Sequence, residues 1–202
     1  FDGVDDYLVK AGVGGTDSTK LMLSANTTTL QNYTGYVLAG NLIHLQNDIP
    51  NKQLIVRAYN DASSLVINAA VPYDGAVVGR SCNIQVSLDL VSTATRAVII
   101  NGVDVTAGVT WTTYTIDGLI RYDYTGNIQI GSSANNEAIG ELYLNSEYID
   151  LATNNPFWNS ETNKPIPVRT AMANLGSNPL ICMPIDASNP TKNYGSGGDF
   201  TL

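Results

Sequence analysis

The sequence predicts an all-β fold in which two antiparallel sheets pack against each other. The chain has 202 residues, of which 44% are hydrophobic and only 14% are charged, against about 25% charged residues in an average soluble domain. Its uncharged polar residues are mostly strand and turn formers, with 21 Asn, 19 Thr, 18 Gly and 11 Tyr. Short apolar bursts separated by turn residues recur along the chain, and no stretch keeps a helical period. Together these observations predict a β-sandwich.

The first half of the chain predicts short strands in regular succession. Residues 7–9, 21–23 and 36–38 are apolar bursts, and the Asn and Thr run at 26–29 is predicted to end the second burst. Residues 53–58 and 64–68 alternate on either side of an Asn60-Asp61 turn, and residues 83–90 and 96–100 predict a second hairpin around 92–95. Asn101-Gly102 favours a type I′ turn, after which residues 103–105 continue as a strand.

The second half predicts more strands and one irregular segment. Residues 111–124 predict a strand, a turn at Asp117-Gly118 and a returning strand, and residues 127–131 and 141–145 follow as strands. One helical turn is expected between 147 and 156. Residues 156–167 place Phe157 and Trp158 among Pro and Asn, which predicts an ordered excursion rather than a linker. Residues 180–185 and 199–202 complete about twelve strands.

These elements predict a single domain over residues 1–202, in which 146–202 hold the Pro- and Asn-rich excursion and the closing strands. The net charge of −8 argues against nucleic acid as a partner, because ten Lys and Arg are scattered singly. No apolar run approaches the ~20 residues that cross a bilayer, so membrane insertion is not expected. Because residue 1 is Phe rather than Met, we expect the chain to be part of a longer protein.

The two cysteines, Cys82 and Cys182, have neither zinc-site nor redox-motif spacing. Cys82 alternates with Ile84, Val86 and Leu88, which places it on a buried strand face. We therefore predict two buried free thiols in preference to a disulfide.

Aromatic residues concentrate in the predicted hairpin 111–124. Sugars are held by aromatic faces together with amide and carboxylate groups, so this segment is a candidate glycan-binding site. The alternative is that the rings only pack across the strand pair, and the sequence favours packing. The candidate residues are Trp111, Tyr114, Asp117, Tyr122, Asp123 and Tyr124.

Three stretches, residues 1–8, 84–103 and 128–144, occur in an order that resembles concanavalin A-like domains of the laminin G-like jelly-roll type. The first matches an opening strand, the second a central hairpin with an Asn-Gly turn, and the third a late strand pair. The resemblance implies a concanavalin A-like jelly-roll sandwich of two antiparallel sheets. It also implies that calcium, if any is bound, is held by loop aspartates, with Asp2, Asp5 and Asp6 as the first candidates and Asp117 and Asp123 as others; no other cofactor is expected.

The C-terminal part is similar to the end of such domains in tailed-bacteriophage virion proteins. The residues that carry this resemblance are 148–151, 156–158, 164–167, 175–179 and 193–201. It implies a non-catalytic structural or decorating component on the head or tail surface of a phage particle, docked on other virion proteins. Self-association into a homo-oligomer is a further expectation. The alternative is a lectin-like module that binds a host surface polysaccharide.

A glycan hydrolase is the least favoured alternative. Enzymes of the concanavalin A-like fold use two carboxylates on one strand, in the pattern E-x-D-x-x-E. Here Glu141 and Glu147 lie on one predicted strand, but Tyr143 stands at the middle position. We therefore expect a solvent-facing or edge carboxylate pair and no catalytic residues. His44 has apolar neighbours and is expected to be a half-buried strand residue, and residues 12–15 are expected to form a surface turn rather than a phosphate loop.

Overall fold

The computed structural model describes residues 7–29, 35–48, 50–73, 81–131, 137–184 and 188–201. Within these ranges the chain forms short strands, a 3₁₀ turn at Thr106–Gly108 and an α-helix. The elements are β1 Leu8–Ala11, β2 Lys20–Thr29, β3 Gly35–Ala39, β4 Ile43–Asp48, β5 Gln53–Tyr59, β6 Leu65–Pro72, β7 Ser81–Asp89, β8 Arg96–Ile100, β9 Val103–Asp104, β10 Thr110–Tyr114, β11 Asn127–Ile130, β12 Glu137–Asn145, β13 Trp158–Asn159, β14 Lys164–Pro165, α1 Val168–Leu175 and β15 Ile181–Met183.

In the described part of the chain, seven strands form a front sheet in the order β1-β11-β3-β4-β5-β6-β10. Six strands form a back sheet in the order β15-β12-β2-β7-β8-β9, and β13 pairs with β14 separately. The pairings among these strands are antiparallel. The predicted fold class, an all-β jelly-roll sandwich of two antiparallel sheets, is confirmed.

The main hydrophobic core lies between the two sheets. Cys82, Ile84, Val86 and Leu88 of β7 point into it and are buried, as their alternation in the sequence predicted. The turn that follows β8 also agrees with the prediction, because Asn101 and Gly102 have φ angles of 50° and 77°. A side chain at Gly102 would overlap the ring of Trp158, so the turn needs glycine for space as well as for its backbone angles.

A C-terminal layer, residues 147–178, covers the outer face of the back sheet. The ring centroids of Tyr143 on the sheet and Phe157 in the layer are 4.8 Å apart. Ser87 accepts a hydrogen bond from the Ile149 amide at 2.9 Å and donates one to its carbonyl at 2.6 Å. Phe157, in the predicted excursion, is fully buried. The second hydrophobic cluster formed in this way contains Met22, Ile99, Tyr143, Leu151, Phe157, Val168, Ala171 and Cys182.

The two cysteines lie on opposite faces of the back sheet. Cys82 belongs to the core between the sheets, and Cys182 belongs to the cluster under the C-terminal layer. Both are buried and free, which confirms the prediction. Burial raises the pKa of the Cys182 thiol to about 11, so this group is protonated at neutral pH.

The single helical turn expected between 147 and 156 is present at 151–153, where the Asn154 amide donates to the Asp150 carbonyl at 2.9 Å. The α-helix of the described residues is α1, which the sequence did not predict. Pro167 immediately precedes α1, and Gly176 ends it with a φ of 61°. These are ordinary start and stop signals, but a helix of eight residues is too short for its period to stand out in the sequence. Within the described residues, no helix has the length and apolar character needed to cross a membrane.

The predicted hairpin 111–124 is wrong. β10 pairs with β6, whereas after the turn Ile120 bridges to Ser18 and the Tyr122 carbonyl accepts a hydrogen bond from the Gly15 amide at 3.0 Å. The Arg121 amide then donates to the Tyr59 carbonyl at 2.9 Å, so this segment crosses the end of the sandwich. The prediction that residues 26–29 end the second apolar burst is wrong as well. These residues continue β2, because both β7 and β12 pair with them.

The edge of the front sheet at β1 is partly covered by the end of the chain. Val9 and Thr201 exchange backbone hydrogen bonds of 2.8 and 2.9 Å. Pairing of this kind protects an edge strand from association with other chains.

Candidate ligand-binding site

Two residues of the predicted aromatic set pack against the sandwich core. Trp111 and Tyr114 form an edge-to-face pair with ring centroids 5.4 Å apart. The Arg96 guanidinium lies 4.7 Å from the Trp111 ring centroid and 5.1 Å from that of Tyr114. The Tyr114 hydroxyl donates to the carbonyls of Asp89 and Ser92, each at 3.0 Å. Through these contacts both rings pack within the sandwich, which was the alternative to glycan binding for residues 111–124.

The remaining members of the set lie apart from this pair. Tyr122 is 0% exposed and its hydroxyl donates to the Lys20 carbonyl at 2.8 Å, so a sugar cannot reach its ring. Asp117 is exposed in a turn with a φ of 55°. Tyr124 is half-buried and borders two surface depressions. The structure therefore does not bring the six residues together, and only Tyr124 lines a cavity with an aromatic ring.

The first depression, here called the tyrosine–amide pocket, has a volume of about 410 Å³. It opens where β1, β11, β3 and β4 lie side by side, and Val9, Gln129 and Ala39 form one rung across three of these strands. Its lining contains tyrosine rings, amide side chains and small residues: Tyr7, Val9, Ala39, Gly40, Asn41, His44, Tyr124, Asn127 and Gln129. Tyr7 is 37% exposed, so part of its ring is open to a ligand.

At neutral pH the tyrosine–amide pocket has no charged side chain among the described residues that line it. Its single titratable base, His44, has its pKa lowered by burial and by the charge of Arg57, while a hydrogen bond to the Gly40 backbone acts in the opposite direction. The neutral imidazole stands edge-on to Tyr59 with ring centroids 5.2 Å apart. His44 is thus a half-buried residue of β4, as predicted, and can exchange hydrogen bonds with hydroxyl groups.

The second depression, here called the glycine-rich depression, has a volume of about 360 Å³. It lies beside the turn at 12–15, where Gly12 and Gly14 have φ angles of 63° and 67°. Backbone groups form much of its wall, and its polar side chains come from three parts of the chain. The lining residues are Lys10, Ala11, Gly12, Val13, Gly14, Asp123, Tyr124, Thr125, Ser196 and Gly197.

Three carboxylates meet near this depression. One oxygen of each of Asp17, Asp61 and Asp123 lies within 4.8 Å of the others. Loss of solvation and the charges of Asp17 and Asp123 raise the pKa of Asp61, and Arg121 opposes this effect. The Arg121 Nε lies 3.6 Å from an oxygen of Asp61 and of Asp123. These are the described residues that could hold a divalent cation, and Arg121 already supplies positive charge there.

The predicted calcium ligands overlap little with this acidic cluster. Asp123 belongs to it, whereas Asp117 does not. Asp2, Asp5 and Asp6 lie outside the described residues. Calcium binding by any of them stays a prediction.

The carboxylates considered for glycan hydrolysis have structural partners. Glu141, on the outer face of the back sheet, is 9% exposed and accepts a hydrogen bond from Asn26 Nδ2 at 2.8 Å. Burial raises the pKa of Glu141, and hydrogen bonds from Asn26 and the Val168 backbone oppose the shift. Glu147 accepts a bond from Asn145 Nδ2 at 3.1 Å. The expectation of a solvent-facing pair is wrong for Glu141, because the start of α1 covers it.

Comparison with known proteins shows similarity only to solved structures. No family model and no curated protein matches the sequence. A heptameric SAP-like pentraxin from Limulus polyphemus has 14% identity and a TM-score of 0.49, over 76% of this chain and 82% of the pentraxin chain. Domains LG4–5 of the mouse laminin alpha1 chain have 14% identity and a TM-score of 0.48, over 75% of this chain and 42% of that one.

A Trypanosoma rangeli sialidase has 14% identity and a TM-score of 0.43, over 74% of this chain and 25% of the sialidase. Likenesses of this size carry no information about what the chain binds or whether it is catalytic. The candidate site therefore depends on its own geometry.

The tyrosine–amide pocket was missed in the sequence because its residues come from distant segments. Tyr7, His44 and Gln129 are neighbours only through the strand order β1-β11-β3-β4. The outward alternation of β1 and β11 was available as a signal, but a single sequence does not show which strands are adjacent.

Proposed function

We propose that the chain is a non-catalytic glycan-binding domain and that a neutral sugar residue binds in the tyrosine–amide pocket. The observation that supports this proposal is the lining of that pocket, which combines two tyrosine rings with the amides of Asn41, Asn127 and Gln129. Its volume of about 410 Å³ lies in the range of about 300–1,000 Å³ found for small-molecule sites.

The chemistry of the lining suits a hydroxyl-rich ligand. Tyrosine faces pack on the apolar C–H surface of a pyranose, while amides offer donors and acceptors to its hydroxyl groups. A neutral His44 adds one donor or acceptor. An anionic ligand would find no counter-charge among the described residues of this lining, so a neutral sugar fits better. The proposed binding step involves no cofactor.

A glycan microarray followed by isothermal titration calorimetry tests the proposal. Asn127→Ala and Gln129→Ala each remove an amide from the pocket, and each should weaken binding about five- to tenfold, as the loss of roughly 1 kcal/mol per hydrogen bond implies. Asn174→Ala is the matched control, since Asn174 is an exposed residue of α1. If no glycan on a wide array binds, or if the pocket variants bind as well as the control, the proposal is wrong.

We also propose that the domain acts on the surface of a tailed-phage particle. The support is the sequence resemblance of residues 148–151, 156–158, 164–167, 175–179 and 193–201 to virion proteins. In that setting the chain decorates the head or tail, docks on neighbouring virion proteins or on copies of itself, and presents the pocket to a host polysaccharide. Mass spectrometry of purified particles tests this setting, and absence of the protein from them would contradict it.

A further inference from the structure

Tyr124 borders both the tyrosine–amide pocket and the glycine-rich depression. The ring is held from two directions. The Arg121 guanidinium lies 4.9 Å from its centroid, and a side chain at Gly126 would overlap its hydroxyl end. One fixed aromatic residue therefore stands between two cavities of similar size.

From this juxtaposition we infer that the bound glycan is an oligosaccharide, with one sugar in the tyrosine–amide pocket and the next in the glycine-rich depression. The inference rests on the proposed function and specifies its ligand. The glycine-rich depression then acts as an extension subsite that a single sugar does not occupy.

β1 and Tyr124 contribute residues to both cavities. Val9 lines the tyrosine–amide pocket and Lys10 the glycine-rich depression, so the two cavities adjoin β1 at successive residues. After Lys10 the wall of the glycine-rich depression continues with Ala11, which is exposed and carries only a methyl group.

The polar groups of the glycine-rich depression are of kinds that bind hydroxyls. Lys10 and the exposed hydroxyl of Thr125 are donors, and the Asp123 carboxylate is an acceptor. The Ser196 hydroxyl donates to the Pro179 carbonyl at 3.2 Å and offers its oxygen as a further acceptor. Asp123 is already close to Arg121, so it does not give the depression an unopposed negative charge. The lining therefore contains both the donors and the acceptors that a second sugar residue needs.

Gly14→Asn tests the inference by filling the depression. A Cβ at Gly14 has no atom within 4 Å, and Asn tolerates the positive φ of 67° better than other residues. Gly176→Asn is a matched control, because Gly176 is also exposed, has a φ of 61° and has no atom within 4 Å of an added Cβ. Both variants carry the same chemical change and the same backbone cost.

The measurement is calorimetric titration with mono-, di- and trisaccharides of glucose, galactose, rhamnose and N-acetylglucosamine. For the sugar that binds, we expect the dissociation constant of the wild type to fall about tenfold or more from mono- to trisaccharide. Gly14→Asn should lose this gain and keep its monosaccharide affinity, while Gly176→Asn should behave like the wild type.

The inference is overturned if affinity does not depend on chain length, or if Gly14→Asn retains the gain. Both results leave the proposed function intact as long as Asn127→Ala still weakens monosaccharide binding. If neither this series nor the array gives any binding, the proposed function fails and the inference fails with it.

Discussion

The outer faces of the two sheets differ in what lies over them and in how their polar residues are used. On the back sheet, the C-terminal layer buries the face, and polar side chains bond to each other beneath it. Gln85 donates to Asn83 at 2.6 Å, Asn83 to Asn26 at 2.8 Å, and Asn26 to Glu141 at 2.8 Å. This chain of bonds gives each of these buried side chains at least one partner, which lowers the cost of burying them.

On the front sheet, polar side chains of the outer face remain half-exposed. Arg57 donates to Gln46 at 3.2 Å and to Asn68 at 3.3 Å, so these residues form a ladder across β4, β5 and β6. The tyrosine–amide pocket lies at one end of this face. Within the described residues, the back face is therefore covered by the C-terminal layer, while these side chains of the front face stay half-exposed.

The largest expected effect is a difference in unfolding free energy between a variant of the back face and a variant of the front face. Phe157→Ala should lower the free energy of unfolding by about 3–5 kcal/mol, because the ring is fully buried under the C-terminal layer. Tyr59→Ala on the front face should cost only about 1 kcal/mol, since its ring is half-buried against His44. Urea unfolding measures both. Equal losses would show that the two faces do not differ in this way.

A second experiment asks whether the C-terminal layer opens before the sandwich unfolds. Cys182 lies in the smaller cluster under the layer and Cys82 in the main core, so we expect a thiol reagent to label Cys182 at least about tenfold faster at low urea. Single-cysteine variants Cys82→Ala and Cys182→Ala distinguish the two sites. Identical labelling rates would mean that layer and sandwich open together.

The pH dependence of stability tests whether Glu141 is buried under the C-terminal layer. Burial raises the pKa of Glu141 in the folded state, so the stability that its protonated form contributes is fully present below the pKa of an unfolded glutamate, about 4.3. That contribution is lost as pH rises through the folded-state pKa. Glu141→Gln should remove this fall in stability. Unfolding free energies at several pH values, compared with the wild type, provide the check, and an unchanged slope would contradict the assignment.

The smallest expected effect concerns metal removal. The acidic cluster Asp17, Asp61 and Asp123 lies outside the tyrosine–amide pocket, and the described residues that line the pocket include no carboxylate. Treatment with EDTA should therefore leave monosaccharide affinity unchanged. A loss of monosaccharide binding that calcium restores would tie the pocket to a cation.

The sequence predicted those features of the fold that depend on residues close together in the chain. Alternation in β7 located the core face and the buried thiol of Cys82, and Asn101-Gly102 located a tight turn. Where the partner of a segment was distant, sequence reasoning failed. Ile120 pairs with Ser18 rather than with β10, and no local pattern shows such a pairing. The candidate site belongs to this second class, since of the six aromatic-set residues only Tyr124 lines the tyrosine–amide pocket.

The pairing of Val9 with Thr201 has a consequence for how the fold can be rearranged. Val9 and Thr201 are hydrogen-bonded neighbours although they lie 192 residues apart in the sequence, so two distant parts of the chain meet at one corner of the fold. A short linker across this junction would allow new termini to be cut between Thr93 and Ala94, which are exposed in the turn after β7. For the same reason, the whole domain could be inserted into a surface loop of another protein, since both connections would leave from one corner.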